Sequence, residues 1–479
     1  MDSNSSIFTL IKSLTKAEKR FFQIFSKRHT IGDTNNYLIL FNIINQLKFD
    51  DNELIIKGLK ENNISTTYLS ADKNYLFSVI LKSLTVFHND DSYGMKLKNQ
   101  LQSIEILFYK GLYKESLKLI QSAEKVAVKI ENFSFLLDIL NWKKKCLGYS
   151  KGLSAAASVR ADILHCIKQI ENLENILNLY YKSYALHINE DKVEKEKIIK
   201  EYRQLINNPL LKTDKAALSF TARIYFHLIY EHYFYAIDDN QKELESLEKI
   251  TAIIQDFELY PKEHPLDYIS IYNRILSLKK YIKTASFYDE INVLRKLTTG
   301  SAIRKDIIEQ RVFILINSNE LEFLLITHQY KKSLQKLNEI EKQIQSRSIE
   351  IEPFYIIHFY YLYALSLFNA GEYKKAVDYI NTIINQYHYN DRPSVFIKTE
   401  ILNILVHLEL KNFELVSLLC RRIKKKYNKK ELLSDIESDL IKVLATSGKQ
   451  IFNKKKTITD LQKITEKYSS EHKKNVLQK

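Results

Sequence analysis

Apolar residues recur at steps of three and four along most of the chain, the spacing that gathers side chains on one face of an α-helix. Phe413, Val416, Cys420, Ile423 and Tyr427 form one such stripe, and Arg421, Arg422, Lys424, Lys425 and Lys426 fill the positions between them. Near the start, Phe21, Phe22 and Phe25 share a face behind Thr15-Lys16-Ala17-Glu18, which reads as a capping box in which Thr15 and Glu18 serve each other's amides. The same periodicity predicts helices over Tyr37–Leu47, Asn52–Leu59 and Tyr75–Phe87. A polar turn at Asn89-Asp90-Asp91-Ser92-Tyr93-Gly94 then closes this block. The expected organisation is a helical N-terminal domain over 1–92, a repetitive region over 93–447, and a basic, helical or partly disordered tail over 448–479.

Repetition is clearest at Tyr360-x-x-Tyr363-Ala364-x-x-Leu367-x-x-x-Gly371-x-Tyr373-x-x-Ala376-x-x-x-Ile380-x-x-Ile383. Ala364 and Ala376 allow two helices of a hairpin to approach closely, and Gly371 permits the positive φ that ends the first helix. Fainter copies begin their second helix at Tyr113, Ser154, Phe287, Tyr330 and Phe413, with His328 and Lys411 standing where Gly371 stands. Adjacent copies are 41, 43, 43 and 40 residues apart, and the long gap from 154 to 287 leaves room for two more, with second helices near Asp191–Ile206 and Gln241–Phe257.

The Gly-x-Tyr-x-x-Ala core resembles the tetratricopeptide (TPR) pattern. That resemblance implies an all-α, right-handed α-solenoid of about eight TPR-like hairpins with a period of about 43 residues. Over about residues 7–145 the chain also resembles an uncharacterised family of bacterial TPR-like proteins. The residues concerned are Leu14-Thr15-Lys16-Ala17-Glu18-Lys19-Arg20-Phe21-Phe22, Lys73-Asn74-Tyr75-Leu76, Ile80-Leu81-Lys82-Ser83-Leu84 and Lys110-Gly111-Leu112-Tyr113. This second resemblance implies the same fold and no activity. In TPR superhelices the first helix of each hairpin lines a groove, which implies His358, Tyr361, Leu365, Phe368 and Asn369 as groove residues here. From the hairpin before come Leu315, Ser318, Glu322, Leu325 and Ile326. The Lys/Asn clamp with which some TPR domains hold C-terminal carboxylates is absent at these positions. The competing expectation for the apolar members is packing against the next repeat.

Composition narrows the classes further. Gly 9 and Pro 5 in 479 residues fall far below ordinary usage of roughly 7% and 5%, too few for the turns of a strand-rich fold or for a glycine-rich phosphate loop. The three cysteines, Cys146, Cys166 and Cys420, are scattered without ligand spacing and read as buried thiols of a reducing, cytoplasmic compartment. The first six residues carry no basic region, so no signal peptide is expected. The longest nearly apolar run, 355–368, is shorter than the roughly 20 residues a membrane span needs.

Tests for chemistry fail one by one. His227 and His232 are five residues apart, about 140° around a helix, and so cannot share a metal as an i, i+4 pair would. His165 and Cys166 are neighbours that point different ways. Gly148-Tyr149-Ser150-Lys151-Gly152 lacks the Gly-Lys-Ser/Thr of a phosphate loop and reads as a hairpin turn. Asp90-Asp91 and Asp238-Asp239 lie in turn-like stretches that suit helix capping. No enzyme, cofactor or metal is expected. The net charge of +15 has two readings, AT-rich codon usage and a nucleic-acid partner. The expected partner is a protein or peptide held by a non-enzymatic scaffold. The alternative is a regulatory nucleic-acid-binding protein, with a helix-turn-helix-like unit in 1–92 whose recognition helix Lys73-Asn74-Tyr75 would open, and with the repeats as sensor or dimerisation arm. A separate candidate is the basic surface Arg421, Arg422, Lys424, Lys425 and Lys426 at the start of the stretch Arg421 to Lys430, against which stands a solvated helix face.

Overall fold

The computed structural model describes residues 6–27, 35–188, 195–281, 286–297, 302–346, 352–388, 393–427, 433, 435–447, 459–464 and 466–467. The described residues are helical throughout, joined by turns and bends, with no strand among them. Five hairpin turns share one backbone geometry. At Gly111, Asp238, His328, Gly371 and Lys411 the φ angle is positive, between 57° and 81°. The residue after each donates its N–H back to a carbonyl of the first helix: Leu112 to Leu107, Asp239 to Phe234, Gln329 to Leu324, Glu372 to Leu367 and Asn412 to His407, all at 2.8–2.9 Å. This is the left-handed cap that satisfies the last carbonyls of a helix. The second helix starts two residues beyond each cap, as Tyr113–Lys129, Asn240–Asp256, Tyr330–Ser346, Tyr373–Gln386 and Phe413–Tyr427.

The chain divides into two compact units. One comprises Met1–Ala127, Asp138–Val159 and Gly300–Ile303. Its core gathers Ile7, Phe8, Phe22, Phe41, Ile44, Ile55, Leu76 and Ile80 from the helices Ser6–Ser13, Lys16–Lys27, Asn36–Gln46, Asn52–Glu61 and Leu69–Phe87. The capping box forms as expected: Thr15 N donates to Glu18 Oε2 at 2.6 Å, and Glu18 N donates to Thr15 Oγ1 at 3.2 Å. His88 joins it, with Nε2 2.7 Å from Glu18 Oε1 and Nδ1 2.6 Å from Asp91 Oδ2. In the hairpin Tyr93–Tyr109/Tyr113–Lys129, the buried Ser116 hydroxyl donates to Ile104 O at 3.2 Å.

The other unit comprises Val128–Leu137, Arg160–Thr299 and Arg304–Lys479. Neighbouring helices pair along it, Phe220–Ala236 with Asn240–Asp256, Pro353–Asn369 with Tyr373–Gln386, and Pro393–Glu409 with Phe413–Tyr427. Ala364 and Ala376 are both fully buried in one cluster with Ile380, Leu402 and Val406. Thr213, Ser219 and Asp239 cap the segments that follow them. Glu131 adds a second cap from far away in sequence, its carboxylate accepting from Phe220 N, Thr221 N and Thr221 Oγ1 at 2.8–2.9 Å.

Ser6–Ser13 is helical, and Lys12 reaches from it to the carbonyl of Asn45 at 2.9 Å. Three local expectations shift. The helix expected from Tyr75 starts at Leu69, so Lys73-Asn74-Tyr75 lies a turn inside it rather than opening it. The turn expected across Gly148–Gly152 is confined to Gly152 (φ 92°), because the helix Phe133–Lys151 runs on through Gly148. Beyond the short helix Leu153–Ala157, Arg160–Ile188 is one helix of 29 residues, where the repeat spacing places parts of two. That stretch holds neither glycine nor proline to stop a helix. Most of the expected basic tail, 448–479, lies outside the described residues.

Candidate functional site

Three successive first helices, Pro265–Tyr281, Ala302–Ile326 and Pro353–Asn369, turn one stripe each toward a shared cleft. Helical spacing puts Ser270, Asn273, Ser277 and Lys280 on the first stripe, at steps of three and four. Arg311, Leu315, Ser318, Asn319 and Glu322 form the second, and Phe354, Tyr355 and His358 the third. Together they enclose about 600 Å³, within the range of small-molecule and peptide pockets.

The floor is a chain of hydrogen bonds crossing all three helices. Glu322 sits in the middle, with Lys280 Nζ on Oε2 and His358 Nε2 3.1 Å from Oε1. Burial works against its charge, yet the bond from His358 and the Lys280 ammonium hold the carboxyl down at about 2. Lys280 also donates to Asn319 Oδ1 at 3.1 Å, and Asn319 Nδ2 donates to Asn273 Oδ1 at 3.2 Å. At the rim the Arg311 guanidinium lies 4.8 Å from the Tyr355 ring centre and 3.3 Å from Glu352. Ser318 is 8% exposed, and its hydroxyl has no hydrogen-bond partner.

Of the groove residues expected from sequence, the fold brings His358, Leu315, Ser318 and Glu322 into this cleft. Tyr361, Leu365, Phe368 and Leu325 are half-buried against core clusters instead, and burial pushes the Tyr361 phenol up to about 12. Asn369 is exposed and donates to Leu365 O at 2.8 Å, the backbone four residues back, while Ile326 is half-buried. Of the cleft residues missed from sequence, Asn273 and Lys280 come from the hairpin with the faintest repeat pattern, and Arg311 and Asn319 from the hairpin after it. Asn273 and Asn319 stand 46 residues apart, close to the repeat period, which is the signal that marks them.

A second polar cluster lies deeper. Arg274 Nη1 is 3.0 Å from Glu231 Oε2 and 2.6 Å from His232 Nε2, and its Nη2 is 3.2 Å from His187 Nε2. Ser183 Oγ meets His232 Nδ1 at 2.7 Å. Burial, then the Arg274 charge, lowers both imidazoles, His187 to about 4; burial pushes Glu231 up to about 7 against the pull of Arg274. His227, on the same helix as His232, is buried apart from this cluster and is also lowered to about 4 by burial and Lys249. Among the described residues no group of three His, Cys, Asp or Glu is placed to hold a metal.

In Phe413–Tyr427 the stripe Val416, Cys420, Ile423 and Tyr427 is buried, with Leu419 beside it. The basic side chains do not all face solvent unpaired. Buried Glu400 meets Lys426 at 2.8 Å and Arg422 at 3.5 Å. Arg421 Nε donates to Ser417 O at 3.3 Å, and Lys424 and Lys425 carry no ion pair among the described residues. Cys146, Cys166 and Cys420 are buried free thiols; Cys166 donates to Phe133 O at 3.3 Å, while the adjacent His165 is exposed. Among the described residues no helix is long and apolar enough to cross a membrane. No protein-family model matches this chain, and no match is found among curated proteins.

Proposed function

We propose that the chain is a non-enzymatic scaffold, a right-handed solenoid of TPR-like hairpins that holds a peptide or protein on the face of its first helices. The observation that carries this reading is the cleft across Pro265–Tyr281, Ala302–Ile326 and Pro353–Asn369. Part of it falls where a TPR groove would fall, at Leu315, Ser318, Glu322 and His358. Its charged groups serve one another rather than an acid–base step: a carboxyl held at about 2 between Lys280 and His358 is far from the pKa near neutrality that suits a general acid or base. Stacked hairpins offer a long continuous surface suited to extended ligands. Three buried free thiols suit a reducing, cytoplasmic setting.

Phe354, 42% exposed at the cleft mouth, supplies the test. Phe354→Asp should abolish capture of partners by the purified chain and leave its melting temperature nearly unchanged. Capture that persists in the variant, or that disappears when the lysate is treated with nuclease, would remove this reading and favour a nucleic-acid partner.

A further inference from the structure

The charges of the cleft floor are matched within it. Glu322 answers Lys280 and His358, and at the rim Glu352 answers Arg311. A carboxylate ligand reaching the floor would meet Glu322, and a cationic one would meet Lys280. Apart from the other N–H groups of Arg311 at the rim, the remaining hydrogen-bonding capacity is uncharged. Ser318 lines the cleft, and its hydroxyl is buried and unpartnered, a state that costs free energy. Asn273 is exposed on the cleft wall and its Oδ1 accepts from Asn319, which leaves its amide N–H donors open to a ligand. Ser270 and Ser277 flank it on the same wall, one helical turn to either side. From Leu266 to Lys280 that wall runs about 21 Å at about 1.5 Å per residue, the length of about six residues of extended chain at about 3.4 Å each. Leu266 and Phe354 add exposed apolar surface at the mouth.

Short uncharged donors and acceptors along an apolar-lipped trough match the amides of an extended polypeptide, which present both a donor and an acceptor at each residue. We propose that the cleft binds an extended, uncharged stretch of polypeptide through its main-chain amides, with Ser318 and Asn273 as the recognising groups and an apolar side chain against Leu266 and Phe354. This deepens the scaffold reading and rests on it.

The experiment pans a display library of random linear peptides on the full chain and measures selected sequences as synthetic peptides. The expected consensus has an uncharged centre with at least one large apolar residue. Methylating the central backbone nitrogens should weaken binding at least ten-fold, and Ser318→Ala and Asn273→Ala should each weaken it about three- to ten-fold, the worth of one hydrogen bond. Ser318→Ala should meanwhile leave thermal stability equal or higher, since it deletes an unsatisfied group rather than a contact. Peptides that tolerate backbone methylation, that bind both variants like the parent, or that converge on an acidic or basic motif would overturn main-chain recognition while leaving the scaffold reading intact. Recovery of no peptide, or of peptides indifferent to Phe354→Asp, would overturn both.

Discussion

Lys411 and Gly371 hold the same left-handed turn conformation with φ of 62° and 81°, and only one of them is a glycine. A side chain in that region costs about 1–2 kcal/mol through its Cβ. The Lys411 side chain is exposed, so Lys411→Gly should raise stability by about 1 kcal/mol in urea unfolding. Gly371→Ala should lower it by a similar amount, even though an added Cβ there would meet no atom within 4 Å. Steric space and backbone strain are separate matters, and this pair of variants separates them. The same scale holds the acid response. Half-buried His187 and buried His227 titrate at about 4 in the fold against about 6.5 unfolded. The unfolded chain therefore takes up protons first as pH falls, and stability drops between pH 6.5 and 4, by up to about 3 kcal/mol for His227 and by less for His187, whose partial exposure screens its charge. Glu322, held at about 2, contributes stability above pH 4.5 that is lost on further acidification. Glu231, raised to about 7, acts oppositely, since its folded form takes up the proton first between pH 7 and 4.5. The histidines outnumber it, so the melting temperature should fall from pH 7 to pH 5. His227→Leu should shrink that fall; a drop of unchanged size would assign the acid response elsewhere.

At the scale of the helix pair, close approach depends on small residues at the crossing. Ala376 is completely buried in the cluster that also holds Ala364 and Ile380. Ala376→Leu adds volume where none is free and should cost about 1–3 kcal/mol in denaturant unfolding; unchanged stability would show that the crossing lies elsewhere. These pairs were legible because a turn, an aromatic and a small residue fall at fixed offsets, so five second helices start at the residue their pattern marks: Tyr113, Phe287, Tyr330, Tyr373 and Phe413. Arg160–Ile188 was not legible, because periodicity reports a helical face and says little about where a helix stops without glycine or proline. The cleft was half legible. Glu322 and His358 follow from position within a repeat. That Lys280 would answer Glu322 depends on how Pro265–Tyr281 is rotated against its neighbour, which no local pattern in that faint repeat encodes. Tyr361, expected either in the groove or packed against the next repeat, is half-buried among core clusters.

Over the whole molecule the +15 charge is the feature most open to a functional reading, and the basic helix Phe413–Tyr427 is where that reading can be measured. Its exposed cations include two already committed inside the protein, Arg422 and Lys426, both on the buried carboxylate of Glu400. Cations in the last turn of a helix also gain about 0.3–1 kcal/mol from the helix dipole, reason enough for Lys424 to Lys426 without a ligand. Five phosphate contacts from Arg421, Arg422, Lys424, Lys425 and Lys426 would give a log–log salt slope near −4.5 on duplex DNA, at about −0.9 per contact. With two of the five held by Glu400, the slope should be nearer about −2.7, with binding that is sequence-independent at low salt and negligible near 0.15 M. Glu400→Gln removes the anion that holds them and should steepen the slope toward about −4.5, at some loss of stability. Charge reversal at Arg421 alone should flatten it by about 0.9, because that residue lies outside the Glu400 pairing. Tight binding at physiological salt that Arg421→Glu and Arg422→Glu together abolish would make this helix a nucleic-acid interface and displace the scaffold reading; a shallow slope that tracks the number of uncommitted cations makes its charge an incidental property of the surface.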